Sequence, residues 1–220
     1  FPARFQDSSL GLIPEGWEVR PIGDLCEFRY GKALKAADRR GGPVAVFGSN
    51  GIVDWHDKEL VKGPGIVVGR KGNAGSVIWS SGDFWPIDTA FYVATKVDTP
   101  ILPYLQYALQ YVGLPRLGAD SAVPGLNRNA AHQSEIVCPD AHCITVFAEH
   151  FMAVDYKMAA NENENRILAQ IRDTLLPKLL SGELRVPEAE RIAAQAESEP
   201  EAAAKRVSVK PTDEAIRDCD

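Results

Sequence analysis

Residues 140–180 read DAHCITVFAEHFMAVDYKMAANENENRILAQIRDTLLPKLL, and this stretch decides the architecture. A seven-residue repeat runs through it without a break. Its 3-4 positions are Ile144, Phe147, Phe151, Val154, Met158, Asn161, Asn165, Leu168, Arg172, Leu175 and Leu179, eight of the eleven apolar over five heptads. Such a sustained repeat favours a coiled coil over an ordinary amphipathic helix of period 3.6. At 1.5 Å per residue the helix would be about 60 Å long. A helix of that length is expected to project beyond its own domain and to need a partner for its seam. The alternative is that the seam packs back on its own domain. Asn161 and Asn165 lie in mid-seam, where a polar side chain fixes register at some cost in stability. Asp140 is placed to cap the start. Pro177 should kink or loosen the last turn, and Ser181-Gly182 should end it.

Working outward towards the N-terminus, residues 1–139 have a different pattern, rich in Gly and Pro with short apolar runs. Gly65-Ile66-Val67-Val68, Ser76-Val77-Ile78-Trp79 and Ala90-Phe91-Tyr92-Val93 read as strands bounded by turns. The run Leu102–Tyr111 has helical spacing and reads as a helix among them. The expectation is a mixed α+β domain over 1–139 with a strongly bent sheet. A long helix follows over 140–186. Residues 187–220 carry no aromatic side chain, are rich in Ala and Glu, and read as an acidic, disordered tail.

The net charge of −6 seems at first to exclude a polyanionic partner. Its distribution matters more. Residues 1–139 carry 14 basic and 14 acidic side chains, whereas residues 140–220 carry 10 and 16 and supply the whole imbalance. Within the neutral part, Arg29, Lys32, Lys35, Arg39 and Arg40 face only Asp38 between positions 29 and 40. A local basic patch can still engage phosphates, because fields are screened within about 10 Å at moderate salt. Charge alone favours a solvated loop. Cys26, Cys138, Cys143 and Cys219 show no regular framework, so reduced thiols in a cytosol are the default. No apolar run approaches the roughly 20 residues that span a bilayer. The chain opens on Phe1, which reads as a fragment or a processed product.

The glycine-rich run from Gly63 to Gly75 invites a nucleotide-binding reading, but Gly69 is followed by Arg70 and then by a strand rather than a helix. A phosphate loop needs Gly-Lys-Ser/Thr leading into a helix. A hairpin is expected instead, with Arg70, Lys71 and Asn73 on its tip. Arg and Asn can bond bidentately to guanine and adenine edges. Cys138, His142 and Cys143 do not match a zinc spacing and read as buried thiols at a strand end and helix start. His56 reads as a surface or loop histidine. No nucleophile elbow or paired-histidine motif is present in the sequence, so no catalytic residue, metal or cofactor is expected.

Several segments in order resemble the specificity subunit of type I restriction-modification systems. Ile13-Pro14-Glu15-Gly16-Trp17-Glu18-Val19 and Ile22-Gly23-Asp24-Leu25 are similar to the opening of a target-recognition domain. Gly69-Arg70-Lys71-Gly72, then Phe84-Trp85-Pro86-Ile87-Asp88-Thr89-Ala90, is similar to a hairpin and following strand. Val123-Pro124-Gly125-Leu126-Asn127 resembles the loop before the last strand, and Asn165-Arg166 with Leu175–Leu184 the end of a spacer helix. Cys138–His142 departs from the pattern, where many members have a Pro-rich turn followed by Glu-Gln.

The resemblance implies a non-catalytic, cytoplasmic subunit that reads one half of a bipartite double-stranded DNA target. It implies docking of methyltransferase subunits, with restriction and translocase subunits in the full complex, and a second recognition half or a second copy paired through the helix. Phe1–Ser9 resembles a connection entering a second recognition domain. Arg70, Lys71 and Asn73, the Arg29–Arg40 segment and the Asn127-Arg128-Asn129 loop are then expected to line the DNA surface. The other class left open is a coiled-coil adaptor with a protein- or carbohydrate-binding domain.

Overall fold

The computed structural model describes residues 4–118, 125–183, 186–187 and 190–191. The proposed tail thus lies almost wholly outside the described residues, as do Val123, Pro124 and Cys219. In chain order, strands β1 (Phe5–Ser8) and β2 (Gly11–Pro14) form a hairpin. There follow β3 (Glu18–Pro21), a single helical turn α1 (Ile22–Leu25), β4 (Cys26–Tyr30), β5 (Val44–Gly48) and β6 (Gly51–His56). Next come β7 (Gly65–Gly69), β8 (Val77–Ser80), β9 (Phe84–Pro86), β10 (Ala90–Thr95) and α2 (Leu102–Val112). The series closes with α3 (Arg128–Gln133), β11 (Glu135–Cys138) and α4 (Ala141–Leu180). The α+β fold read from the sequence is present. Its β structure is divided into four short sheets.

The central sheet has the order β4-β10-β7-β8, all antiparallel. β7 is buried on both faces, which explains why it is an unbroken apolar run rather than an alternating one. Ile66 and Val68 face one core with Phe28, Phe91, Leu105, Leu109 and Ile136. Val67 faces a second core with Ala45, Phe47, Phe84 and Ala90. The second core joins the central sheet to the β6-β5-β9 sheet, where β5 pairs with β9 in parallel. Gly65 allows that close approach, since a Cβ there would lie 2.5 Å from the Phe84 ring. β11 returns to pair with β3, Cys138 opposite Glu18, and ties the end of the domain to its beginning.

The hairpin expected at Gly63–Trp79 is formed by β7 and β8. α2 begins with Pro103 in its first turn and stops at Gly113, whose φ of 74° is the left-handed conformation that ends helices. His56 departs from the expectation. It is buried at the end of β6, where its Nδ1 accepts from the Arg40 N–H and its ring packs edge-on against Trp85.

α4 is capped as expected, with the Asp140 carboxylate accepting from the Cys143 N–H at 2.9 Å. Pro177 lies inside the helix, which continues to Leu180 and ends in a turn with Gly182 at φ 75°. The first turns behave differently from a free seam. Ile144 and Ala148 are buried. Phe151 packs edge-on against Trp79 with ring centroids 4.9 Å apart, and Tyr107 lies 6.0 Å from both Phe147 and Phe151. The start of the seam thus meets its own domain, through aromatic rings of β8 and α2. The chain divides accordingly into one compact unit that runs to Tyr156 and a second that begins at Lys157. Beyond Phe151, Val154, Met158 and Leu168 are 59%, 57% and 42% exposed.

Candidate nucleic-acid interface

The antiparallel pairing brings the ends of β4 and β7 and the starts of β8 and β10 to one end of the central sheet. Residues that leave or enter strands there are forced together. Arg70 follows β7 directly, and its N–H donates to Thr89 O at 2.9 Å while its carbonyl accepts from Leu126 N–H at 2.9 Å. Lys71 bridges to Gly125, so the segment entering α3 lies across the hairpin loop. The loop also touches the β5–β6 turn. Ser76 Oγ donates to Ser49 O at 2.5 Å, and the Asn73 side-chain amide donates to Asn50 Oδ1 at 3.1 Å. Gly75, at φ 81°, allows the loop to press on Pro115, whose N would lie 2.4 Å from a Cβ at this position.

Tyr30, the last residue of β4, is at the centre of this end. The Arg70 guanidinium carbon lies 4.9 Å from its ring centroid, and that of Arg128 lies 5.2 Å away. Phe91 backs Tyr30 at 5.0 Å. Arg70 Nη1 also donates to Asp88 O at 2.8 Å. No carboxylate among the described residues lies within ion-pair distance of Arg70, Lys71 or Arg128, and Glu27 acts on Arg128 only at longer range. Cation–π contacts of this kind contribute about 0.5–1 kcal/mol each at exposed sites.

The remaining expected residues are placed less uniformly. Asn127, Arg128 and Asn129 are not a loop but the start of α3. Asn127 Oδ1 caps it by accepting from the N–H groups of Asn129 and Ala130, both at 3.1 Å. The Lys32 backbone is held by Pro86 and Trp85 just after Tyr30. Lys35 is exposed, and neither lysine has an ion-pair partner among the described residues.

The other three cations of that segment have carboxylates that the local sequence did not show. Arg29 pairs with Glu27 at 3.0 Å, and this bond holds the Glu27 carboxyl below its ordinary range and raises Arg29. Arg39 lies 3.5 Å from Asp54, its side chain only 16% exposed, and donates to Leu34 O. Arg40 lies 3.4 Å from Asp57 beside His56, at the opposite end of β6 from Asn50. Arg39 and Arg40 thus each have a carboxylate partner on or beside β6, whereas Arg70 and Arg128 meet at Tyr30.

Sequence reasoning missed Tyr30 and Asn50. The signal for Tyr30 was the row Cys26, Phe28, Tyr30, which alternates on one face and ends in a half-exposed ring beside basic residues. Of the cysteines, burial pushes the Cys26 thiol up to about 12 and raises Cys138, while Asp140 raises Cys143. Thiols so shifted stay protonated at neutral pH. Among the described residues no cluster of three or more His, Cys, Asp or Glu side chains is placed to hold a metal. No described helix is long and apolar enough to cross a membrane.

Residues 14–117 match the family model of the type I restriction modification DNA specificity domain. The matched region includes Tyr30, Asn50, Arg70, Lys71 and Asn73, while Arg128 and α4 lie beyond it. The chain is 24% identical to the type I restriction enzyme HindI specificity subunit of Haemophilus influenzae, covering 78% of this chain and 42% of that protein. Its fold is similar to that of the type I restriction-modification S subunit of M. genitalium, with a TM-score of 0.61 and 20% identity over 75% of this chain and 46% of that one. The chain spans less than half the length of these relatives.

Proposed function

We propose that this chain binds double-stranded DNA sequence-specifically, reading one half of a bipartite target as the non-catalytic specificity component of a type I restriction-modification complex. The observation that supports it most is the meeting of Arg70 and Arg128 over the Tyr30 ring, with Lys71 and Asn73 on the same hairpin loop as Arg70. Uncompensated cations attract phosphates, while Arg and Asn on a fixed turn address base edges. The partners in this reading are methyltransferase subunits, with restriction and translocase subunits in the full complex. The exposed part of α4 takes a second recognition half or a second copy, through Val154, Met158, Leu168, Leu175 and Leu179, with Asn161 and Asn165 setting register. Phe147 and Phe151, turned onto Tyr107 and Trp79, belong less to that pairing than to the domain itself.

The test is duplex binding by the full chain as a function of salt. Binding should weaken linearly on a log–log scale, because phosphate contacts release counterions. Joint replacement Arg70→Ala and Lys71→Ala should reduce both affinity and slope. Unchanged binding would place the DNA surface elsewhere, and salt-independent binding would favour the adaptor reading.

A further inference from the structure

We propose that Tyr30 positions Arg70 to read a guanine in the major groove, an inference that rests on the DNA-recognition reading above and assigns its base class. In the row Cys26, Phe28, Tyr30, the first two side chains are fully buried, whereas Tyr30 is 53% exposed. The core stops there, and the ring is presented at the surface with Phe91 behind it.

Arg70 is held from several directions. Its backbone is fixed by Thr89 and Leu126, its Nη1 by the Asp88 carbonyl, and its guanidinium carbon sits 4.9 Å from Tyr30 and 6.0 Å from Phe91. One Nη1–H is used in this way, which leaves the other edge of the planar fork for a ligand. No carboxylate among the described residues neutralises it. Guanine O6 and N7 present the acceptor pair that matches this fork. A phosphate would also accept from it, but Lys71 beside it is the flexible point charge suited to that role. The restraint on Arg70 has its use where direction carries information.

Tyr30 has a second task. Arg128 brings another guanidinium to the same ring, at 5.2 Å. The negative face of an aromatic ring attracts a guanidinium. An aliphatic side chain at 30 would remove that attraction and let Arg70 swing away.

The experiment selects duplexes from a randomised double-stranded library with the full chain, then measures binding to every single-base-pair variant of the enriched motif. The wild-type chain should prefer guanine at one position by roughly ten- to a hundred-fold. Arg70→Lys keeps the charge, and it should bring that one position to near parity while the preferences at the other positions of the motif persist. Tyr30→Leu should reduce preference at the same position alone, and Tyr30→Phe, which keeps the ring, should restore it. If Arg70→Lys weakens all duplexes alike, Arg70 touches phosphate and the proposal fails. A normal profile for Tyr30→Leu also overturns it. A wild-type chain that enriches no motif would remove the underlying reading as well, which separates the two failures.

Discussion

His132 ties α3 to β4 through one ring. Its Nε2 accepts from the Phe28 N–H at 3.1 Å, and its face meets the Phe28 ring edge-on at 5.1 Å. Only the neutral imidazole can accept there. Burial, then the charges of Arg128 and Lys96, hold its pKa below the ordinary 6.5. The unfolded chain therefore binds more protons than the folded one near that pH. Stability should be full above about pH 6.5 and fall as the pH drops below it. Thermal unfolding across that range should show the decline, and His132→Gln, whose amide oxygen can replace the acceptor, should flatten it. A backbone constraint acts at Gly75, where φ is 81° and a Cβ would meet Pro115 N at 2.4 Å. Gly75→Ala should cost more than about 1 kcal/mol in urea unfolding. Residue chemistry of this kind was only partly legible. Arg70, Lys71 and Asn73 stood out because glycines flank them, which marks a turn from local sequence. The roles of Tyr30 and Arg39 were hidden because Arg128 and Asp54 reach them only through the fold.

At the scale of elements, α4 was the most legible part of the chain, since its repeat, its Asp140 cap and its Gly182 stop are all local signals. What meets its first turns was not legible. A heptad pattern states which face is apolar but not which ring covers it, and Trp79 and Tyr107 belong to distant strands and helices. The strands were readable in the same limited way. Apolar runs between glycines gave β7, β8 and β10, whereas the pairing of β5 with β9 and of β3 with β11 depends on partners far along the chain. The two stretches of α4 should respond differently to truncation. Phe151→Ala removes contacts to Trp79 and Tyr107 and should lower domain stability by about 2–3 kcal/mol, allowing for its partial exposure. Leu168→Ala, at an exposed position, should change domain stability by less than about 0.5 kcal/mol. It should instead weaken association, which sedimentation of the two variants side by side would show. Replacing both Asn161 and Asn165 by Leu should strengthen association but admit more than one register.

For the whole molecule, overall charge is a poor guide to its partner. Residues 1–139 balance 14 basic against 14 acidic side chains, yet among the described residues Arg70, Lys71 and Arg128 have no ion-pair partner, whereas Arg29, Arg39 and Arg40 each have one. A neutral domain can thus carry a local field directed at DNA, confined to about a Debye length at physiological salt. The account centres on the claim that this field serves sequence reading rather than general adhesion to polyanions. The direct measurement is a competition at about 0.15 M salt between a duplex selected by the full chain and a scrambled duplex of equal composition. Each mismatched base pair typically costs about 1–3 kcal/mol, so scrambling several positions should reduce affinity by at least about a hundred-fold. Equal binding of the two duplexes would contradict the account.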